Sequence, residues 1–240
     1  MHQLDRATVQ RPPCLDNYDG NVHSWDDLQP QDKRALRLAL QRMQGGQIAA
    51  DDANDAADVV SGLRCAYCES QIYYGGHIEH FRRKNPKHFP QLTFAWTNLF
   101  LSCDSNGSKE HCGHYKDRPG GPPYNPDDLI KPDEHDPDDY LYFHSSGEVR
   151  VRHRDGMKDD DRHRAAETIR VFHLDCGRLN GARRKTLKPY LDRDTGFLEA
   201  LLEFDEKDRQ LFIAEEIEAT KREPFWTTIR HFLKNMLHDS

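Results

Sequence analysis

Cys65-Ala-Tyr-Cys68, Gly76-His77-Ile78-Glu79-His80-Phe81-Arg82-Arg83-Lys84, Trp96-Thr97-Asn98-Leu99-Phe100-Leu101-Ser102-Cys103 and Cys112-Gly113-His114-Tyr115-Lys116 follow one another in a single region, and their reading decides the fold. Cys65-Ala-Tyr-Cys68 is a knuckle, a tight turn that aims two thiolates at one ion. Cys103 and Cys112 supply a second pair, with Asn106-Gly107-Ser108 between them to turn the chain. Together they make a four-cysteine donor set suited to tetrahedral Zn²⁺. The Cys103–Cys112 spacing is wider than that of a zinc ribbon. A redox Cys-x-x-Cys, or two pairs of buried thiols, is the competing reading. Structural zinc is favoured because a small, His-rich segment with little core needs a staple. Cys14 and Cys176 have no local partner and are read as free thiols.

Between and after the cysteines the order is acid–His, then Asn, then His. Glu79 and His114 suit one hard divalent ion, Mg²⁺ or Mn²⁺, which prefers carboxylate and retains waters. In an extended strand His80 faces away from Glu79. It is then available as a general base on water, near its ordinary pKa. Asn98 either orients the His80 imidazole or pins the loop through backbone hydrogen bonds. His77 shares a strand face with Glu79 and is a third ligand, a phosphate contact or only a neighbour. Arg82, Arg83 and Lys84, with Lys87 and Lys116, are candidates for the phosphates that flank a cut; such contacts carry no sequence information. The alternative is a solvated charge run.

At these residues the sequence resembles the HNH endonucleases, over Gly62 to Asp117. The resemblance implies an α+β fold with a ββα-metal nuclease module and a four-cysteine zinc site. It implies His80 as general base, Glu79 and His114 as metal ligands and Asn98 as the central Asn. Two departures stand out: Glu79 replaces the commoner Asp, and His114 follows Cys112 by two positions. The same segments resemble the nuclease subunit (PtuB type) of Septu-type anti-phage systems, which also serves some retron systems. The tail is similar too, from His173-Leu174-Asp175-Cys176-Gly177-Arg178-Leu179 through Arg183-Arg184 to Pro224-Phe225 and Ile229-Arg230. This implies an ABC-type ATPase partner. The expected function is metal-dependent cleavage of DNA. RNA cleavage, a non-catalytic zinc module that binds nucleic acid or protein, and a decayed structural subunit are the rivals.

Outside this region the chain reads more simply. Its 240 residues are 36% hydrophobic and 31% charged, with a mean hydropathy of −0.93, so the core is modest and the surface polar. Runs such as Leu99 to Leu101 are too short to span a bilayer, and the N-terminus lacks the apolar core of a signal peptide. A membrane or exported protein is disfavoured and a cytoplasmic one expected, where cysteines serve as ligands or inert thiols. The net charge of −7 is uneven: −4 over residues 1–60, +3 over 61–120, −6 over 121–160 and zero over 161–240. Local field, not the total, steers a polyanion.

Four regions are expected. Residues 1–60 hold an extended arm (1–30), an amphipathic helix from Asp32 to Met43 closed by Gly45-Gly46, and a second helix over Asp51–Val60. Residues 61–120 are the nuclease core. Residues 121–160 are an acidic, Pro-rich surface loop and a hairpin around Ser145-Ser146-Gly147. Residues 161–240 are helical, interrupted near Pro189. Arg178, Arg183, Arg184, Lys185 and Lys188 form a second basic cluster there, for nucleic acid or for a partner.

Overall fold

The computed structural model describes residues 1–48, 59–72, 76–85, 87–103, 110–192 and 195–236. Within them the chain is a mixed α+β structure with small antiparallel sheets. Helix α1 (Pro30–Met43) presents Leu36, Ala39, Leu40 and Met43 to the core. Gly45, at φ +84°, provides the left-handed residue that ends it. Strands β1 (Gln47–Ile48) and β2 (Val59–Ser61) pair. Residues 51–58 of the expected second helix lie outside the described residues. Its last two, Val59 and Val60, are in β2, consistent with the strand preference of β-branched side chains.

Strand β3 (His77–His80) pairs with β4 (Leu99–Ser102) in the register His77↔Ser102, Ile78↔Leu101, Glu79↔Phe100 and His80↔Leu99. Every residue of β4 is buried, because α1 covers one side and the knuckle another. A lone two-stranded ribbon is marginal in water, so β4 needs this cover. The outward N–H and C=O of Leu101 are met by the Gln44 amide: Oε1 accepts at 2.6 Å and Nε2 donates at 2.9 Å. Gln44 Nε2 also donates to Arg64 O at 2.8 Å. One side chain thus takes the place of a strand. After β4 comes the short helix α2 (Cys112–Lys116).

Strands β5 (Leu141–Phe143) and β6 (Val149–Val151) form the expected hairpin. The tail is helical: α3 (Asp159–Phe172), α4 (Gly177–Thr186), α5 (Lys188–Leu191), α6 (Phe197–Glu203), α7 (Glu206–Ala219) and α8 (Trp226–Asn235). The break expected near Pro189 falls at Leu187, and proline sits in the first turn of α5, where its missing N–H is not needed. A main core spans residues 1–225. A second, smaller one (Leu187, Tyr190, Leu201, Ile213, Ile229, Leu233) joins α5 to α8. No described helix is long and apolar enough to cross a membrane.

Two expectations are corrected. Residues 1–30 are not an extended arm. They run through short 3₁₀ turns that bury Met1, Leu4, Leu15 and Leu28 in the main core. The Met1 α-amine lies 3.1 Å from buried Glu69, and Arg6 donates to Leu99 O at 2.9 Å. These anchors have no period, so no pattern reveals them. The acidic loop is likewise not wholly in solvent: Leu129 and Ile130 enter the core, and Ile130 N donates to Thr168 Oγ1 at 2.8 Å.

Gln44→Ala leaves Leu101 N–H and Arg64 O without their Gln44 partner, while Leu101 O keeps the Ala66 N–H at 3.1 Å. Each such group costs about 1–3 kcal/mol. The variant should therefore lose several kcal/mol in chemical denaturation; a loss of a few tenths would contradict the role given to Gln44.

Candidate functional site

The four cysteines come from three places: the knuckle, the end of β4 and the start of α2. Their sulfurs all lie within 4.8 Å of one another, and all four residues are buried. Cys65 and Cys112 sulfurs are 3.7 Å apart and those of Cys68 and Cys103 3.8 Å. A tetrahedron with metal–sulfur bonds of about 2.3 Å has edges of about 3.8 Å, so the set fits a structural metal such as zinc. Cys112 and Glu69, which follows Cys68, both sit at positive φ, +59° and +64°. Such residues cost on the order of 1–3 kcal/mol each, strain that metal binding offsets. His111 Nδ1 is 3.3 Å from Cys112 Sγ and 3.5 Å from Cys103 Sγ, placed to donate to thiolates. Sequence reasoning missed His111, although its place beside Cys112 was a signal. Cys14 and Cys176 stand outside the cluster, as expected.

Cysteine placement sets α2 against β3, and Glu79 fills the space between them. Its Oε1 is 2.8 Å from Lys116 Nζ and its Oε2 3.2 Å from His77 Nε2. Burial alone would raise the Glu79 pKa; the Lys116 charge and the His77 contact overcome this and hold it at about 2. The approach requires glycine at 113: a Cβ there would stand 2.2 Å from Glu79 Oε2. Lys116 is fully buried. Besides Glu79 it reaches His80 O at 3.0 Å, Asp117 Oδ2 at 2.8 Å and Tyr124 Oη at 3.2 Å. Burial opposes its charge, but Glu79 and Asp117 push its pKa up. Lys116 is therefore no surface phosphate contact. It is the internal counter-ion that ties α2 to β3.

His80 points away from Glu79, as the alternation of a strand requires. Its Nε2–H donates to Thr93 O at 2.9 Å, and its ring meets Trp25 edge-on at 4.6 Å. A carbonyl only accepts, so the proton sits on Nε2 and Nδ1 keeps its lone pair. Burial, with the Lys84 charge, pushes the His80 pKa down to about 4, so the ring is neutral at pH 7. This corrects the expected near-ordinary pKa: the ring keeps a lone pair for a water proton but is a weaker base than an imidazole that titrates near 7. Asn98 does not touch the ring. It pins the loop after β3: Oδ1 accepts from Arg82 N at 2.7 Å, and Nδ2 donates to Arg82 O and Leu92 O, both at 3.0 Å. Thr93 and Trp25 were missed: Thr93 acts through its backbone carbonyl, which no side-chain pattern reveals, and Trp25 lies far from the motifs.

His77 stacks on His114 at 4.0 Å, and its Nδ1 is buried without a hydrogen-bond partner. Glu79, His77 and His114 are thus neighbours. Among the described residues, however, only the four cysteines form a group of three or more whose ligand atoms all fall within 4.8 Å. All three line an open cleft of about 900 Å³, with His80, Arg83 and Lys84. Segment 20–26 forms another part of its wall. Of the expected phosphate contacts, Arg82 pairs with Asp127, Arg83 with Asp117 at 2.8 Å, and Lys84 lies over the Trp25 ring. No family model matches the chain, and no curated protein matches it either.

Cys68→Ser should release the metal and unfold the segment around β3, β4 and α2, since binding energy in such sites is folding energy. Metal analysis and thermal melting check this. A wild-type protein without zinc, or a variant that melts normally, would contradict it.

Proposed function

We propose that the protein is a metal-dependent HNH-type endonuclease that hydrolyses phosphodiester bonds of DNA. The observation that carries this reading is the hydrogen bond from His80 Nε2–H to the Thr93 carbonyl, which leaves a neutral ring with a bare Nδ1 in a cleft beside ionised Glu79. The ordered resemblance of Glu79-His80, Asn98 and His114 to the HNH nucleases agrees with it.

In this reading His80 Nδ1 takes a proton from a water as its oxygen attacks phosphorus. The bond from phosphorus to the leaving oxygen breaks, and that oxygen is protonated by solvent. Glu79 and His114, with His77 beside them, would hold the Mg²⁺ or Mn²⁺. An ionised carboxylate and the unpartnered His77 Nδ1 suit a cation there. When bound, the ion polarises the phosphate and stabilises the leaving oxygen. Thr93 and Trp25 hold the His80 ring, and Asn98 holds the loop on which the ring depends. Lys116 keeps Glu79 ionised without reaching the substrate.

The defence role and the ABC-type ATPase partner rest on the Septu resemblance. The exposed Leu202 and Leu211 on α6 and α7 offer apolar contacts for such a partner.

His80→Ala should lower Mg²⁺- or Mn²⁺-dependent cleavage of labelled DNA by about 10²–10⁴-fold. Zinc content and melting should be unchanged, because His80 lies outside the cysteine set. Cleavage near the wild-type rate would refute the assignment. A parallel RNA arm tests the rival substrate, and addition of the ATPase tests the partner.

A further inference from the structure

Three cations that the cleft does not use form one stripe on α4 and α5. Gly181, Arg184 and Lys185 lie on α4, the first two three residues apart, and Lys188 opens α5 just past the break at Leu187. All four face the same groove. With Leu191 and Asp192 they line an open groove of about 670 Å³.

Arg184, Lys185 and Lys188 are exposed, and among the described residues none of their side chains makes a hydrogen bond or ion pair. Several other basic side chains are paired. Arg82, Arg83, Arg170 and Arg230 are each paired with a carboxylate. Arg183, on the same helix, is buried and donates to Leu174 O at 2.8 Å. In a chain of net charge −7, three adjacent cations are left unneutralised. Arg184 and Lys188 are also like charges on one groove, which repel. An anion in the groove relieves that repulsion.

Gly181 lines the same groove. Glycine inside a helix is disfavoured relative to alanine. Packing does not demand it here, since a Cβ at 181 would meet nothing within 4 Å. The bare backbone leaves a notch among the cations where a ligand can approach closely.

We propose that this groove binds the phosphodiester backbone of a nucleic acid, as a sequence-independent exosite separate from the His80 cleft. The proposal rests on the nuclease reading only in choosing a nucleic acid over other polyanions. A row of cations matches a row of phosphates, and Leu191 adds an apolar contact for a sugar.

Fluorescence anisotropy of the full chain with labelled duplex DNA, single-stranded RNA and polyglutamate tests it. The triple variant Arg184→Glu/Lys185→Glu/Lys188→Glu should bind nucleic acid about tenfold or more weakly. The slope of log K against log salt should shrink by about two to three. Hydrolysis of bis(p-nitrophenyl) phosphate, which needs no groove, should be unchanged. Gly181→Leu keeps the charge, fills the notch and should also weaken binding. The tighter of the DNA and RNA arms names the source of the backbone. Wild-type affinity in the triple variant overturns the proposal, as does equal affinity for polyglutamate, which would assign the groove to an acidic protein. A wild-type protein that binds through the groove but never hydrolyses the small diester would sink the nuclease reading and leave this one standing.

Discussion

The convergence of four thiolates is the constraint on which the rest depends. It ties the knuckle, the end of β4 and the first residue of α2 to one point. With β4 anchored, its pairing fixes β3, and with α2 anchored, Glu79 is caught between β3 and the Gly113 backbone. Lys116, one turn along α2 from Cys112, then reaches Glu79 Oε1 and the carbonyl of His80. The site is arranged by a frame that takes no part in its chemistry.

The frame holds a buried charge pair, and that arrangement has a cost. Glu79 and Lys116 must both leave water, and a buried pair returns that cost only when its remaining hydrogen bonds are met. Lys116 meets this condition through His80 O, Asp117 and Tyr124. Glu79 meets it less fully, with only His77 at its second oxygen. Oε1, on the Lys116 side, has no hydrogen-bond partner beyond that ion pair.

What was legible in the sequence shares one property: local spacing. The Cys65–Cys68 knuckle, α1, the β5–β6 hairpin and the opposed faces of Glu79 and His80 all follow from residues a few positions apart, and the second cysteine pair was found by residue type. The rest depended on contacts between distant segments. Thr93 and Trp25 meet His80 from elsewhere in the chain, and nothing in their neighbours marks them. Lys116 looked like a surface cation because a lysine beside an Asp usually is one; only the closure of α2 on β3 buries it. Met1, Leu4, Leu15 and Leu28 follow no period, so an anchored N-terminal segment looked like a free arm. Asn98 had two readings, and its bonds to Arg82 and Leu92 select the loop-pinning one.

The proposed chemistry depends on which ring nitrogen of His80 carries the proton. Long-range ¹H–¹⁵N correlation of the histidine side chains at neutral pH, with His80 assigned through a His80→Gln variant, measures this directly. The expected result is a neutral ring protonated at Nε2 with Nδ1 bare. A proton on Nδ1, or a charged imidazolium, would remove the lone pair that the proposed chemistry requires and would contradict the account.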